Sequence, residues 1–247
     1  MPNSLSGLCL TTAQEETGMT DIVLASHNQG KVSELRSLLE PLGSGIRVLS
    51  LSDIGYTGDI EENGRSFCEN SLIKAALPAS RGYIGMADDS GLCVDALGGA
   101  PGIYSARYSG QTGTGAEVDA ANRRRLVSEL HGAAPSERGG AFVCVISLVL
   151  PEGCGIEIPE RYRPPEGTVL PDGVSAERCA TVRGECRGVI LTSERGCGGF
   201  GYDSLFESCD LGKTFAEASH EEKNRISHRG RAMEKFTELL GSVPGLL

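Results

Sequence analysis

The strongest constraint on the fold is a change of hydrophobic period within residues 21–51. Ile22-Val23-Leu24-Ala25 is a short, continuous apolar run, the pattern of a buried strand. A polar turn from Ser26 to Gly30 follows. Val32, Leu35, Leu38, Leu39 and Leu42 then recur at helical spacing, and Pro41 and Gly43 stop that helix. Ile46–Leu51 returns to a strand. This is a β-α-β unit, which predicts a parallel strand pair joined by a right-handed crossover, and with it an α/β fold.

The alternation continues along the chain. An acidic, Gly-rich loop (52–64) leads to Ser66 and Glu69, a capping box that opens a helix to about Pro78. Tyr83–Ala87 reads as a strand ending in Asp88-Asp89-Ser90-Gly91. Residues 98–115 read as loop, Ala116–Leu130 as helix, and Ala141–Leu150 as a long β-branched strand. Arg178–Leu191 is expected to form a strand pair with a turn near Gly184. Ser219–Leu240 is helical in pattern, and Ser227 can restart it as an N-cap, with His228 and Arg229 in the new first turn. Residues 1–20 lack periodicity and are expected to form a mobile extension to one domain over 21–247. The stretch 151–177, with five Pro and four Gly, is expected to be a loosely packed hairpin insertion.

Composition removes several classes of function. A chain of 247 residues can bury a core without disulfide or metal staples. No segment approaches the roughly 18 apolar residues of a membrane span. A formal charge of -10 speaks against a tight nucleic-acid partner. Nine cysteines without a Cys-x-x-Cys pair read as free thiols. Lys31 is the first basic residue, so no secretory or transit signal is expected and a cytoplasmic protein is.

Some motifs fail on context. Gly196–Gly201 satisfies G-x-G-x-x-G, but no long helix follows and no βαβ unit supplies an acid about 20 residues on. Gly212-Lys213-Thr214 ends like a phosphate-binding P-loop, yet Glu207 stands where its first glycine belongs. His220 and Glu221 fall one residue short of H-E-x-x-H. Arg123-Arg124-Arg125 reads as a solvated helix face.

Four segments hold the chemistry. Ser26-His27-Asn28-Gln29-Gly30-Lys31 lies between a strand and a helix start, where backbone N–H groups, the helix dipole and Lys31 favour an anion. Glu61-Glu62 lies in a loop, with Lys74 one helix away. Asp88-Asp89-Ser90 places two carboxylates side by side, which calls for a cation, and Glu62 with Asp89 offers the hard oxygens that suit Mg²⁺. Phe200-Gly201-Tyr202-Asp203 supplies aromatics for a base, and Lys223, His228 and Arg229 supply cations for phosphate or base oxygen. Together they suit a nucleoside triphosphate.

The same residues resemble a known family, the inosine triphosphate (non-canonical purine NTP) pyrophosphatases. The shared pieces run in order. They are Ser26-His27-Asn28-x-x-Lys31, Glu62-x-Gly64, Phe67-x-Glu69-Asn70 with Lys74-Ala75, Ala87–Leu92, Leu97–Tyr108, Gly198–Asp203, and Glu222-Lys223-x-x-x-Ser227-His228-Arg229. The resemblance implies an elongated mixed sheet flanked by helices, two lobes with a substrate cleft between them, and a homodimer. It implies hydrolysis of ITP, dITP or XTP to the monophosphate and pyrophosphate with Mg²⁺, cleansing the nucleotide pool. By the same resemblance, Ser26–Lys31 and Lys74 hold the triphosphate. Asp89 is the base and a metal ligand, with Glu62 or Glu61 completing the metal site. Ser90 touches substrate, Phe200–Asp203 line the base pocket, and Lys223, His228 and Arg229 bind the nucleotide. Two departures stand out: Ser26-His27-Asn28 where Thr-Gly-Asn is usual, and Asn63 where Thr is common. Alternative readings are a Maf-type pyrophosphatase of other specificity and a non-catalytic nucleotide sensor.

Overall fold

The computed structural model describes residues 20–27, 32, 33, 39 and 45–246. The extension 1–19 and the site candidates Asn28, Gln29, Gly30 and Lys31 lie outside the described residues. Of the helix expected over 32–42, Val32, Ser33 and Leu39 are described; all three are helical, and Val32 and Leu39 are buried.

Among the described residues, six strands form one mixed sheet in the order β2-β1-β3-β4-β5-β6. They are β1 (Thr20–Leu24), β2 (Ile46–Ser50), β3 (Ile84–Val94), β4 (Gly139–Val149), β5 (Cys179–Ile190) and β6 (Phe206–Ser208). β1 runs parallel to both β2 and β3, as the β-α-β reading requires. The long β3, β4 and β5 are antiparallel neighbours. Four helices lie wholly within the described residues: α1 (Phe67–Ala79), α2 (Gly115–Glu129), α3 (His220–Ile226) and α4 (His228–Ser242). None of the described helices is long and apolar enough to cross a membrane.

Period-2 alternation divides the sheet's two faces. Ile84, Met86, Cys144, Ile146, Leu148, Ala180 and Val182 pack with Ala232, Met233 and Phe236 of α4. Ala87, Val149 and Cys179 pack with Leu72, Ala75 and Ala79 of α1. A third cluster gathers Leu92, Phe142, Phe206 and Phe215 with Leu126 and Leu130 around α2. Phe142 meets Phe206 edge-on at 4.8 Å and stacks on Phe215 at 5.7 Å.

Three expectations are corrected. β3 does not stop at Ala87. It runs for 11 residues, Ile84–Val94, so Asp88, Asp89 and Ser90 sit mid-strand opposite Ile146, Val145 and Cys144 of β4. β5 is one strand, not a pair with a turn at Gly184. That glycine pairs with Cys144, and α4 crosses directly above it. The stretch 151–177 is packed: Ile158 is buried in the α4 cluster, and Leu170 and Val174 pack on the α1 cluster. Prolines and glycines there prevent regular pairing without preventing burial.

Gly184 shows why a glycine can sit inside a strand. A Cβ there would lie 2.1 Å from the His228 carbonyl oxygen and 2.4 Å from the Ala232 nitrogen. Backbone therefore sets the α4–β5 spacing. Gly184→Ala must push the helix outward and is expected to cost about 1–3 kcal/mol, the usual range for overpacking. Urea unfolding measures it, and an unchanged midpoint would show that the helix moves freely.

Candidate active site

β1 and β3 pair only from Ile22–Leu24 to Ile84–Met86. The last bond across that edge runs from the Ala25 N–H to the Met86 carbonyl, at 2.7 Å. Beyond Met86, among the described residues, β3 has a strand partner on its β4 side only. Asp88 and Asp89 lie in this gap, where β1 gives way to the polar turn. They are at the end of a neighbour's strand, not of their own.

Alternation points the two carboxylates to opposite faces. On the α1 side, Lys74 Nζ lies 3.4 Å from Asp89 Oδ1 and 3.2 Å from Glu62 Oε1. Asn70 is fully buried beside them. Its Nδ2 donates to Asp89 Oδ2 at 3.2 Å, while its Oδ1 accepts the Gly64 N–H at 2.9 Å. Asn70 thus ties the acidic loop to β3, and Ser66 positions it by capping α1 through the Glu69 N–H. The Glu69 carboxylate does not return to the cap residue; it accepts from the Arg65 N–H at 2.7 Å and the Val169 N–H at 3.3 Å.

Burial pushes the Asp89 carboxyl above the usual carboxylate range; Lys74 opposes that shift and Glu62 adds to it. Asp89 and Lys74 side chains are only 13% and 12% exposed, and the one lysine faces a second carboxylate, Glu62, so the cluster carries an excess negative charge. This oxygen-only pair fits a small hard cation that completes its shell with water and phosphate oxygens. Glu62 carries the Lys74 contact, and its neighbour Glu61 is exposed.

On the other face, Arg229 Nη2 lies 3.1 Å from Asp88 Oδ2. Ser227 caps α4 by accepting the Gly230 N–H at 3.1 Å, which sets His228 and Arg229 in the first turn as the sequence predicts. The His228 ring is buried and stacks on Phe142 at 4.9 Å, with Nδ1 unpartnered. Burial, with Arg229 and Lys223 nearby, lowers its pKa to about 3, so it is neutral at pH 7.

Lys223 Nζ lies 2.5 Å from Asp203 Oδ2 and 4.9 Å from the centre of the Phe200 ring. Asp203 also accepts the Phe200 N–H at 3.0 Å, folding the glycine-rich turn onto the lysine. A Cβ on Gly199 would lie 2.1 Å from the Asp203 carboxylate, so the tight turn needs that glycine. Phe200 is 69% exposed, the most exposed of the large apolar side chains among the described residues. Tyr202 does not join it: the ring is buried, and its hydroxyl donates to the Ser105 carbonyl at 2.9 Å. Tyr202 anchors the turn from beneath.

His27 reaches the acidic loop instead of standing alone. Its Nε2 donates to the Gly58 carbonyl at 3.0 Å, and its ring stacks on Tyr56 at 6.3 Å. Ser26 donates its N–H to the Leu24 carbonyl at 2.7 Å, and Ser90 stays within β3. Arg123 corrects the sequence reading. It is not a solvated face residue, because its Nη1 donates to the Gly201 carbonyl at 2.8 Å. The sequence reading likewise assigns no role to Asn70 or Asp119. An Asn in a helix's first turn, beside the acidic loop, is the signal that could have found the former.

Residues 22–239 match the Ham1 family. A dITP/XTP pyrophosphatase of Bacillus licheniformis is 40% identical over 223 residues, covering 90% of this chain and 98% of that protein. One from Geobacter sulfurreducens is 43% identical over 224 residues, with the same coverage of 90% and 98%. Among solved structures, a HAM1 protein from Coxiella burnetii superposes with a TM-score of 0.74 at 35% identity, covering 90% of this chain and 99% of that one. The resemblance read from the motifs and the α/β sheet expected from it are thus borne out, and the chain belongs to the Ham1 family.

Proposed function

We propose that this protein is a nucleoside triphosphate pyrophosphohydrolase acting on non-canonical purine nucleotides. The observation that carries the reading is Lys74 held between Glu62 and Asp89 in the gap where β1 ends, in a chain 40% or more identical to proteins named dITP/XTP pyrophosphatases. Such an arrangement binds phosphate and supplies a base beside it.

In this reading the triphosphate lies along the gap, with Lys74 neutralising its charge. The turn Ser26–Lys31 would take the remaining phosphates. Glu62 and Asp89 would hold Mg²⁺, which when bound supplies charge neutralisation on the phosphate oxygens. Asp89 orients a water and takes its proton as the oxygen attacks the α-phosphorus. The bond from that phosphorus to the bridging oxygen breaks, and pyrophosphate departs from the monophosphate. The Asn70 amide and the Lys74 ammonium fix the Asp89 carboxylate, which suits it to positioning that water.

Base choice falls to the other face. Phe200 offers its exposed ring for stacking, and Lys223 with Asp203 borders it. Arg229 only donates, so it favours the oxo group of hypoxanthine or xanthine over the amino group of adenine. One unmet donor is worth about 1–3 kcal/mol, so this contact gives roughly 10–100-fold discrimination. Rejection of GTP, which shares the oxo edge, must occur at position 2. The reading extends to a homodimer, a cytoplasmic location and removal of deaminated nucleotides from the pool.

Pyrophosphate release from ITP, dITP, XTP, GTP, ATP and dUTP, each with Mg²⁺ or EDTA, tests the proposal. Release from the first three, lost in EDTA, is expected. Equal rates on ATP and ITP would remove the specificity argument. Preference for dUTP would favour a Maf-like activity, and binding without release would make the protein a nucleotide sensor.

A further inference from the structure

We propose that Asp119 and Arg123 are positioning residues that hold the base-stacking loop in its binding shape. The inference rests on the reading of Phe200 as the surface that meets the purine.

The two side chains stand one turn apart on α2, at i and i+4, and so share a face of that helix. Both reach the same residue, Gly201, across a large sequence separation. The Gly201 N–H donates to Asp119 Oδ2 at 2.7 Å. Arg123 Nη1 donates to the Gly201 carbonyl at 2.8 Å. A single glycine therefore has both of its main-chain polar groups taken by charged side chains. Charge-assisted bonds of this kind are the stronger class of hydrogen bond.

The geometry on either side explains the need. Gly201 has a φ of +60°, a left-handed conformation that Gly adopts without a steric penalty. The same residue loses the most conformational freedom on ordering, so an unrestrained Gly201 would let the loop tip wander. Before it stands Phe200, exposed and 4.9 Å from the Lys223 ammonium. After it stands Tyr202, fixed in the core through the Ser105 carbonyl. The clamp makes the first position as determinate as the second. Arg123 is itself held: its Nε forms an ion pair at 3.0 Å with Glu194, whose Oε2 also accepts the Ser204 hydroxyl at 2.8 Å.

A ring that must wait exposed in water gains from being placed in advance, because ordering it on binding subtracts from affinity. The clamp should therefore act on nucleotide binding and leave the phosphate chemistry at Asp89 untouched.

The test compares steady-state kinetics on ITP for Arg123→Ala, Arg123→Lys, Asp119→Ala and Asp119→Glu, each alone and with Phe200→Ala. Arg123→Ala and Asp119→Ala are expected to raise KM about tenfold with kcat within about twofold, the scale of one lost charged hydrogen bond. Arg123→Lys should recover part of the loss, since it keeps one donor. In the Phe200→Ala background neither alanine variant should raise KM further, because the ring they position is gone. Additive effects there would overturn the proposal by showing that the clamp acts elsewhere. So would a fall in kcat at unchanged KM. If Phe200→Ala raises KM and the clamp variants do not, the clamp fails while the base-stacking reading stands. If Phe200→Ala leaves KM unchanged, that reading fails and the proposal with it. Should an alanine variant not fold, the Lys and Glu variants carry the same comparison.

Discussion

Asp89→Asn is expected to lower turnover on ITP by roughly 10²–10⁴-fold, the range for loss of a positioned acid–base group. The substitution keeps size and shape, and it can still accept from Asn70, now 3.2 Å away. It removes only the charge. Burial and Glu62 both oppose that charge in the native state, and Lys74 retains Glu62 at 3.2 Å when it goes. Folding stability should therefore hold or rise slightly, which separates a catalytic defect from an unfolded enzyme. The pH dependence of the parent follows the same group. The base works ionised, so kcat/KM should fall in acid as Asp89 takes up a proton, and the Asn variant should lose that fall. Turnover of the Asn variant within a few-fold of the parent would remove Asp89 from the base role.

The chemistry was legible in this sequence because short motifs carry it and local rules place them. Ser66 and Ser227 announce helix starts by side-chain capping, which depends on four adjacent residues and on nothing distant. The β-α-β unit is legible for the same reason. What escaped depends on tertiary contact. Two aspartates read as a strand end because carboxylates are rare inside strands. Here Lys74 and Arg229 arrive from different helices, one on each face, and make the interior of β3 tolerable for both. Gly184 read as a turn because sequence cannot announce that a helix backbone passes within van der Waals reach. Arg123 read as solvated because its partner, Gly201, is 78 residues away. Ile158, Leu170 and Val174 are spaced irregularly, so no period betrayed the packing of 151–177.

Acidification from pH 7 to pH 5 is expected to destabilise the protein, and His228→Phe to remove most of that loss. The buried ring has a pKa near 3 against 6.5 when unfolded. Between those values the unfolded chain binds a proton that the native state refuses. Stability is therefore intact above about 6.5 and falls as pH drops toward 3, by up to about 1.4 kcal/mol per pH unit. The whole interval amounts to about 5 kcal/mol, a large share of a domain's total. Burial is the main cause of the low value; Arg229 and Lys223 add to it by repelling a further positive charge, and Asp88 only partly offsets them. The upper half of the interval isolates His228. Glu222, held near 2 by Lys213 and the Ser219 N–H, also loses its contribution on acidification, but only as pH falls below 4.5. Asp89 has the opposite sign. Its raised pKa lets the native state bind a proton first, so acidification through that value stabilises the fold. Urea midpoints from pH 7 to pH 5 supply the measurement. Phe preserves the stack on Phe142 and strands no partner, since Nδ1 has none. A His228→Phe variant as acid-sensitive as the parent would assign the loss to other groups.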